Sequence, residues 1–166
     1  MTNKEQIILG VDPGTRVTGY GVIKWDGRSL TPLDFGCIKP PPKYKLTDRY
    51  LVIFESMEEV VKKWSPDAMS VESQFLGGNV LSMRKLSMAL TAALLSAKKH
   101  GVSVYEYAPK KAKIAVTGNG GASKMQVQIM VGKLLKLKEI PEPEDAADAL
   151  ALAICHVHGV KWGKEI

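Results

Sequence analysis

With 166 residues, 45% of them hydrophobic and 24% charged, the chain can bury a core as one domain, and its composition excludes a disordered or fibrous chain. Lysine and arginine outnumber aspartate and glutamate by 23 to 17, a net charge of +6 that favours an anionic partner, nucleic acid before membrane. Cys37 and Cys155 are too few for a disulfide framework and show no paired zinc spacing, which implies a reducing, cytoplasmic setting. The start MTNKEQ has no signal-like apolar run, and the most apolar helical stretch, 89–97, is far shorter than the roughly 20 residues a bilayer requires.

Residues 7–11, IILGV, form a short apolar run that leads into Asp12, the pattern of a buried strand ending in a carboxylate. Pro13-Gly14 fits the centre of a type II turn, which would hold that carboxylate at the sheet edge on a stiff corner. An aspartate that merely opens a turn is the plain alternative. Residues 18–25 alternate as a second strand, with Gly19 and Gly21 leaving one face bare for the close approach of another backbone. Asp26-Gly27 marks a hairpin, and 30–38 return as an edge strand because Pro32 lacks a ladder donor. The chain therefore opens as a three-stranded antiparallel meander, followed by a stiff basic connector, KPPPKYK, at 39–45.

From 46 to 64 apolar residues recur every three or four positions, the spacing of one buried helical face, and Ser65-Pro66 ends the helix. Residues 68–72 are a fourth strand, again ending in a carboxylate, Glu72. Residues 79–100 read as a long helix with Asn79 as N-cap. Its main apolar face is Met83, Leu86, Leu90, Ala93, Leu94 and Ala97, while Leu81, Met88 and Leu95 make a second, offset stripe suited to deep burial or to a partner. Residues 102–107 form the fifth strand, and Ala108-Pro109 opens a short helix bearing Lys110, Lys111 and Lys113.

TGNGGASK at 117–124 lacks the order of a Walker phosphate loop and reads instead as a flexible loop leading into a capping box, Ser123 with Gln126, for a helix to about 137. Lys124 falls in that helix's first turn, where a cation is unfavourable and therefore suggests a partner. The last helix, 144–158, begins with acidic residues suited to its N-terminus. Asp148 lies one turn further in, about 60° round from Asp145, among small alanines. Cys155, His156 and His158 have no useful metal-ligand spacing.

These elements predict one α/β domain over 1–166 with a five-stranded mixed sheet, a meander plus parallel βα units, flanked by helices, and with 158–166 as a flexible tail. A fourth strand parallel to the first would bring Asp12 and Glu72 out at the same sheet end, where the final helix can add Asp145 and Asp148. Four carboxylates in one cleft repel one another unless cations hold them. Two hard divalent ions about 4 Å apart would serve, and would suit phosphodiester hydrolysis.

The motifs GVDPGTRVTGYGVI (10–23), PDAMSVE with SQF (66–75), VYEYAPKKAK (104–113), TGNGGASKMQVQIMV (117–131) and EDAADALALAICHVH (144–158) resemble the RuvC family of Holliday-junction resolvases, within the ribonuclease H-like fold. The resemblance implies a metal-dependent endonuclease that acts as a homodimer and resolves four-way DNA junctions by paired nicks, leaving 5′-phosphate and 3′-hydroxyl ends. It places the catalytic, metal-holding carboxylates at Asp12, Glu72, Asp145 and Asp148, a base-contacting aromatic at Phe75, and DNA-contacting lysines at Lys113 and Lys124. It also implies Mg²⁺, two ions per site with Mn²⁺ as a substitute, a branch-migration motor of the RuvA/RuvB type as partner, and no membrane. Ser73, Gly78, Ser87, Leu90 and Thr91 depart from the family pattern, away from the carboxylates. The competing readings are a DNA-binding module without activity and an ATP-binding domain of the actin and sugar-kinase type. The latter needs two such domains, more than 166 residues hold.

Overall fold

The computed structural model describes residues 4–74 and 78–166. The opening apolar run is strand β1 (Gln6–Asp12), whose Ile8, Leu9 and Val11 are fully buried because helices cover both faces of the sheet. β2 (Thr18–Trp25) and β3 (Leu30–Ile38) fold back antiparallel, completing the expected meander. β4 (Ala68–Glu72) joins the other side of β1 in parallel, and β5 (Ser103–Tyr107) joins β4 in parallel. The sheet has six strands rather than the expected five, in the order β3-β2-β1-β4-β5-β6. The extra strand, β6 (Lys164–Glu165), pairs antiparallel with Glu106 and Tyr105 of β5, inside the segment read as a tail. Two residues are too few to leave a periodic signal in a sequence.

Strand alternation assigns the two faces. Leu9 and Val11 pack with α1 (Leu46–Trp64) and α2 (Val80–Lys99), whose Ile53, Met57, Val61, Ala89, Ala93 and Ala97 are buried. Ile8 belongs to the opposite core, built with α3 (Pro109–Thr117), α4 (Lys124–Leu134) and α5 (Glu144–His158). Period two puts Gly10 and Asp12 on the same face as Ile8, and Ser70 and Glu72 on the same face as Ala68. That face is the one α5 covers. The Ser70 hydroxyl donates to the Leu152 carbonyl at 2.6 Å, tying β4 directly to α5.

α5 lies unusually close to the sheet because glycines line its seat. A Cβ at Gly10 would run into the Ala149 carbonyl, one at Gly19 into the Asp145 carbonyl, and one at Gly21 into the Leu150 side chain. Ala146, Ala149 and Ala153, all fully buried, complete the close contact from the helix side. The bare strand face expected from Gly19 and Gly21 is therefore filled by α5.

α2 is capped as the sequence predicts, with the Asn79 side chain accepting from the Leu81 and Ser82 amides. Its offset stripe is exposed, at 66% for Leu81, 40% for Met88 and 55% for Leu95. The helix is by length and composition long and apolar enough to cross a membrane, more so than the sequence reading of 89–97 suggests. Its other side is committed to α1 and the sheet, which makes it an amphipathic flank of the core.

Candidate active site

Asp12 closes β1 and Glu72 closes β4, and because these strands run parallel as neighbours both carboxylates leave the sheet at the same end. The corner after Asp12 is not the expected type II turn, since Gly14 is not in the positive-φ conformation that turn demands. Instead the Thr18 hydroxyl clasps it, accepting from the Gly14 amide at 3.2 Å and donating to the Gly14 carbonyl at 2.8 Å. Glycine is needed there for space, because a Cβ would strike the Val17 carbonyl.

Asp12, Glu72 and Asp148 line one hollow of about 340 Å³ together with Lys113 and Lys124. Asp145 lines a neighbouring hollow that has Asp12 as its shared wall and carries Arg16 and Lys85. The structure thus brings the five other described site residues around Asp12, and divides them between its two sides. Phe75 lies outside the described residues. Arg16 and Lys85 were not read as site residues, because Arg16, four residues after Asp12, reads as part of the turn, and no local spacing signals that Lys85 meets Asp145, 60 residues later.

The electrostatics follow from burial and crowding. Burial, followed by the charges of Asp148, Asp145 and Glu72, pushes the Asp12 carboxyl up to about 7. Glu72 is raised by burial and by Asp148, against the pull of Lys113 and Lys124, and Asp148 is raised by burial while Lys124 draws it down. Lys124 is the cation that this arrangement has recruited: its Nζ lies 3.0 Å from Asp148 Oδ2 and 2.9 Å from Glu144 Oε1. As the side chains stand, among the described residues no three carboxylate, thiol or imidazole groups are gathered tightly enough to hold one ion. Glu144, read from the sequence only as a helix-start residue, is part of this network. Its signal was the four-residue spacing from Asp148, which stacks the two on one helix face.

Cys155 and His156 serve the core. His156 is buried and its Nδ1 lies 2.6 Å from the Tyr107 hydroxyl, and burial pushes the Cys155 thiol up to about 12.

A stability effect follows from Asp12. Its carboxyl titrates near 7 in the folded chain against about 3.8 when unfolded, so between those values the folded state holds the extra proton. Stability then falls as pH rises from about 4 to about 7 and levels off above, by an amount of the order of a few kcal/mol. With divalent ions chelated, Asp12→Asn is expected to melt several degrees higher than the parent at pH 8 and to show little gain at pH 4. Equal gains at both pH values would show that Asp12 is not strained by its neighbours.

Comparison with known proteins gives a consistent result. A family model described as crossover junction endodeoxyribonuclease RuvC matches residues 8–156. The protein of that name from Protochlamydia amoebophila is 54% identical over 154 residues, 93% of this chain and 92% of the relative. The one from Vibrio vulnificus is 49% identical over 152 residues, 92% of this chain and 87% of the relative. The structure of Thermus thermophilus RuvC in complex with a Holliday junction superposes with a TM-score of 0.91 at 34% identity, covering 97% of this chain and 99% of the other. The yeast mitochondrial Holliday junction resolvase Ydc2, at 12% identity and a TM-score of 0.63, shares the fold.

Proposed function

The chain belongs to the RuvC family of crossover junction endodeoxyribonucleases, and from that premise we propose that it resolves four-way DNA junctions as a homodimer, by paired nicks that leave 5′-phosphate and 3′-hydroxyl ends. The observation that carries this reading is the meeting of Asp12, Glu72 and Asp148 around one hollow that two lysines also line, on a chain of net charge +6. Carboxylates hold hard cations and the lysines attract phosphate.

The donors fit a divalent metal. They are oxygen-only, they come from a rigid strand pair and a helix, and their crowding raises Asp12 in a way that added positive charge would relieve. Asp12, shared by both hollows, would hold the metal together with Glu72 and Asp148 on one side and Asp145 on the other. Mg²⁺ is the proposed ion, two per site, with Mn²⁺ able to replace it. When bound, such ions neutralise the scissile phosphate and acidify the attacking water. The chain's own contribution is placement. β1 and β4 fix two carboxylates, the glycine seat presses α5 against them, and Lys113 and Lys124 draw the phosphate backbone into line. Phe75, three residues past Glu72, is proposed to stack on an unpaired base.

The exposed Leu81, Met88 and Leu95 stripe is the proposed contact at or near the dimer axis, where two-fold protein symmetry would match the near two-fold symmetry of a junction. The whole chain is proposed to act as one catalytic domain in the cytoplasm, with a branch-migration motor as partner. The test is a supercoiled plasmid bearing an extruded cruciform, incubated with Mg²⁺. Linear product is expected, because both nicks fall within one binding event. Open circle as the main product would remove the dimer, and uncut plasmid with bound cruciform would leave an inactive DNA-binding module.

A further inference from the structure

Lys124 is an anomaly of placement. It occupies the first turn of α4, where the helix dipole disfavours a cation, yet the capping box of Ser123 and Gln126 fixes that turn firmly. Its ammonium is shared almost equally between Glu144 and Asp148, which stand four residues apart on α5. The two acceptors differ. The Asp148 side chain is 23% exposed and lines the carboxylate hollow, whereas that of Glu144 is 58% exposed. Lys113 lines the same hollow and is engaged in no ion pair among the described residues.

We propose that Lys124 is a resident counter-ion of the carboxylate site that competes with a divalent cation for Asp148, and that Glu144 is the positioning residue that takes the ammonium over when the cation enters. This rests on the metal-holding reading given above. A divalent cation on Asp148 would repel an ammonium held 3.0 Å from the same carboxylate and neutralise the charge that holds it, so cation and ammonium compete for Asp148. With Glu144 beside it the displaced ammonium stays paired at the mouth of the hollow, where the exposed side of the pair is available to a DNA phosphate. Cation loading and phosphate capture are then coupled through one side chain, and the site is stabilised against its own repulsion before loading.

The test uses the full chain without DNA and Ca²⁺ as the probe, titrated by calorimetry and by thermal shift. Lys124→Met, which keeps the aliphatic stem, is expected to bind Ca²⁺ about tenfold more tightly, and Lys113→Met, with the same charge change in the same hollow, no more than about threefold, since it frees no ligand. Glu144→Gln is expected to weaken binding several-fold in the parent and to have little effect in the Lys124→Met background. Equal gains from the two lysine variants reduce Lys124 to a general field effect and overturn the competition. A Glu144→Gln effect that persists without Lys124 overturns the positioning role. Asp12→Asn separates the two levels of argument. If it leaves Ca²⁺ binding intact, the metal-holding reading itself fails; if it abolishes binding while the lysine variants behave alike, only the Lys124 inference fails. In a junction-binding titration, Ca²⁺ is further expected to steepen the dependence of log affinity on log salt by about 0.9 in the parent relative to Lys124→Met. An equal slope change in both proteins overturns the coupling to phosphate.

Discussion

Asp12→Asn and Asp148→Asn are each expected to reduce junction cutting at least a hundredfold while leaving junction binding as tight as in the parent or tighter. The loss follows from the geometry. Both side chains line the same hollow, and Asp12 is common to the two hollows that together contain all four carboxylates, so neither has a substitute within reach. A hundredfold loss corresponds to about 2.7 kcal/mol of transition-state stabilisation, a modest demand on a residue whose ligand charge has been removed. The gain in binding has a separate origin: each substitution removes a negative charge that faces the phosphate backbone. Asp148→Asn also releases one of the two partners of Lys124, so it is expected to tighten binding more than Asp12→Asn. Single-turnover cutting at saturating protein, with mobility-shift titration on the same junction, separates the two effects. More than a few per cent of residual cutting in either variant would remove that residue from the essential set.

Much of this site was legible in the sequence because its parts rest on local rules. A carboxylate at the end of an apolar run, the Ser123 and Gln126 capping box and the Asn79 cap each leave a signature a few residues long, and each is formed. The bare glycine face of β2 was legible for the same reason, since period two alone puts Gly19 and Gly21 on one side. What escaped was whatever depends on two distant segments meeting. The Thr18 clasp on Gly14 replaces a turn that the dipeptide Pro13-Gly14 suits locally, because the loop folds back on Val17. β6 exists only because Lys164 and Glu165 meet β5 some 60 residues earlier in the chain. The pairing of Lys124 with Glu144 joins the starts of two helices, and neither helix alone predicts it. The division of the carboxylates between two hollows is likewise a property of how α5 lies across the sheet, not of their spacing in α5.

Gly10→Ala is expected to be the most destabilising glycine-to-alanine change among the described residues, at about 3 kcal/mol or more, because the obstruction is backbone and cannot rotate away. Gly10 is paired with Gly21 in β2 and with Ser70 in β4, so its strand is held on both sides and has no room to retreat. On the facing side a new Cβ would meet the Ala149 carbonyl and the Ala153 amide. α5 would have to lift, and with it the fully buried Ala146, Ala149, Leu150, Ala153 and Ile154. Gly19→Ala makes a useful contrast, since it strikes the Asp145 carbonyl in the first turn of the same helix, where fewer large side chains are seated. It is expected to cost less stability than Gly10→Ala yet to reduce cutting about a hundredfold, because a shift near 1 Å in the turn that carries Asp145 misplaces the carboxylates. Trimming the opposing side chain with Ala149→Gly should not rescue Gly10→Ala, because the clash is with main-chain atoms. Chemical denaturation and cutting rates on the same variants check both claims. A Gly10→Ala protein within 1 kcal/mol of the parent, or one rescued by Ala149→Gly, would mean that α5 is not seated on the sheet by backbone contact and that the site is held together by its side chains instead.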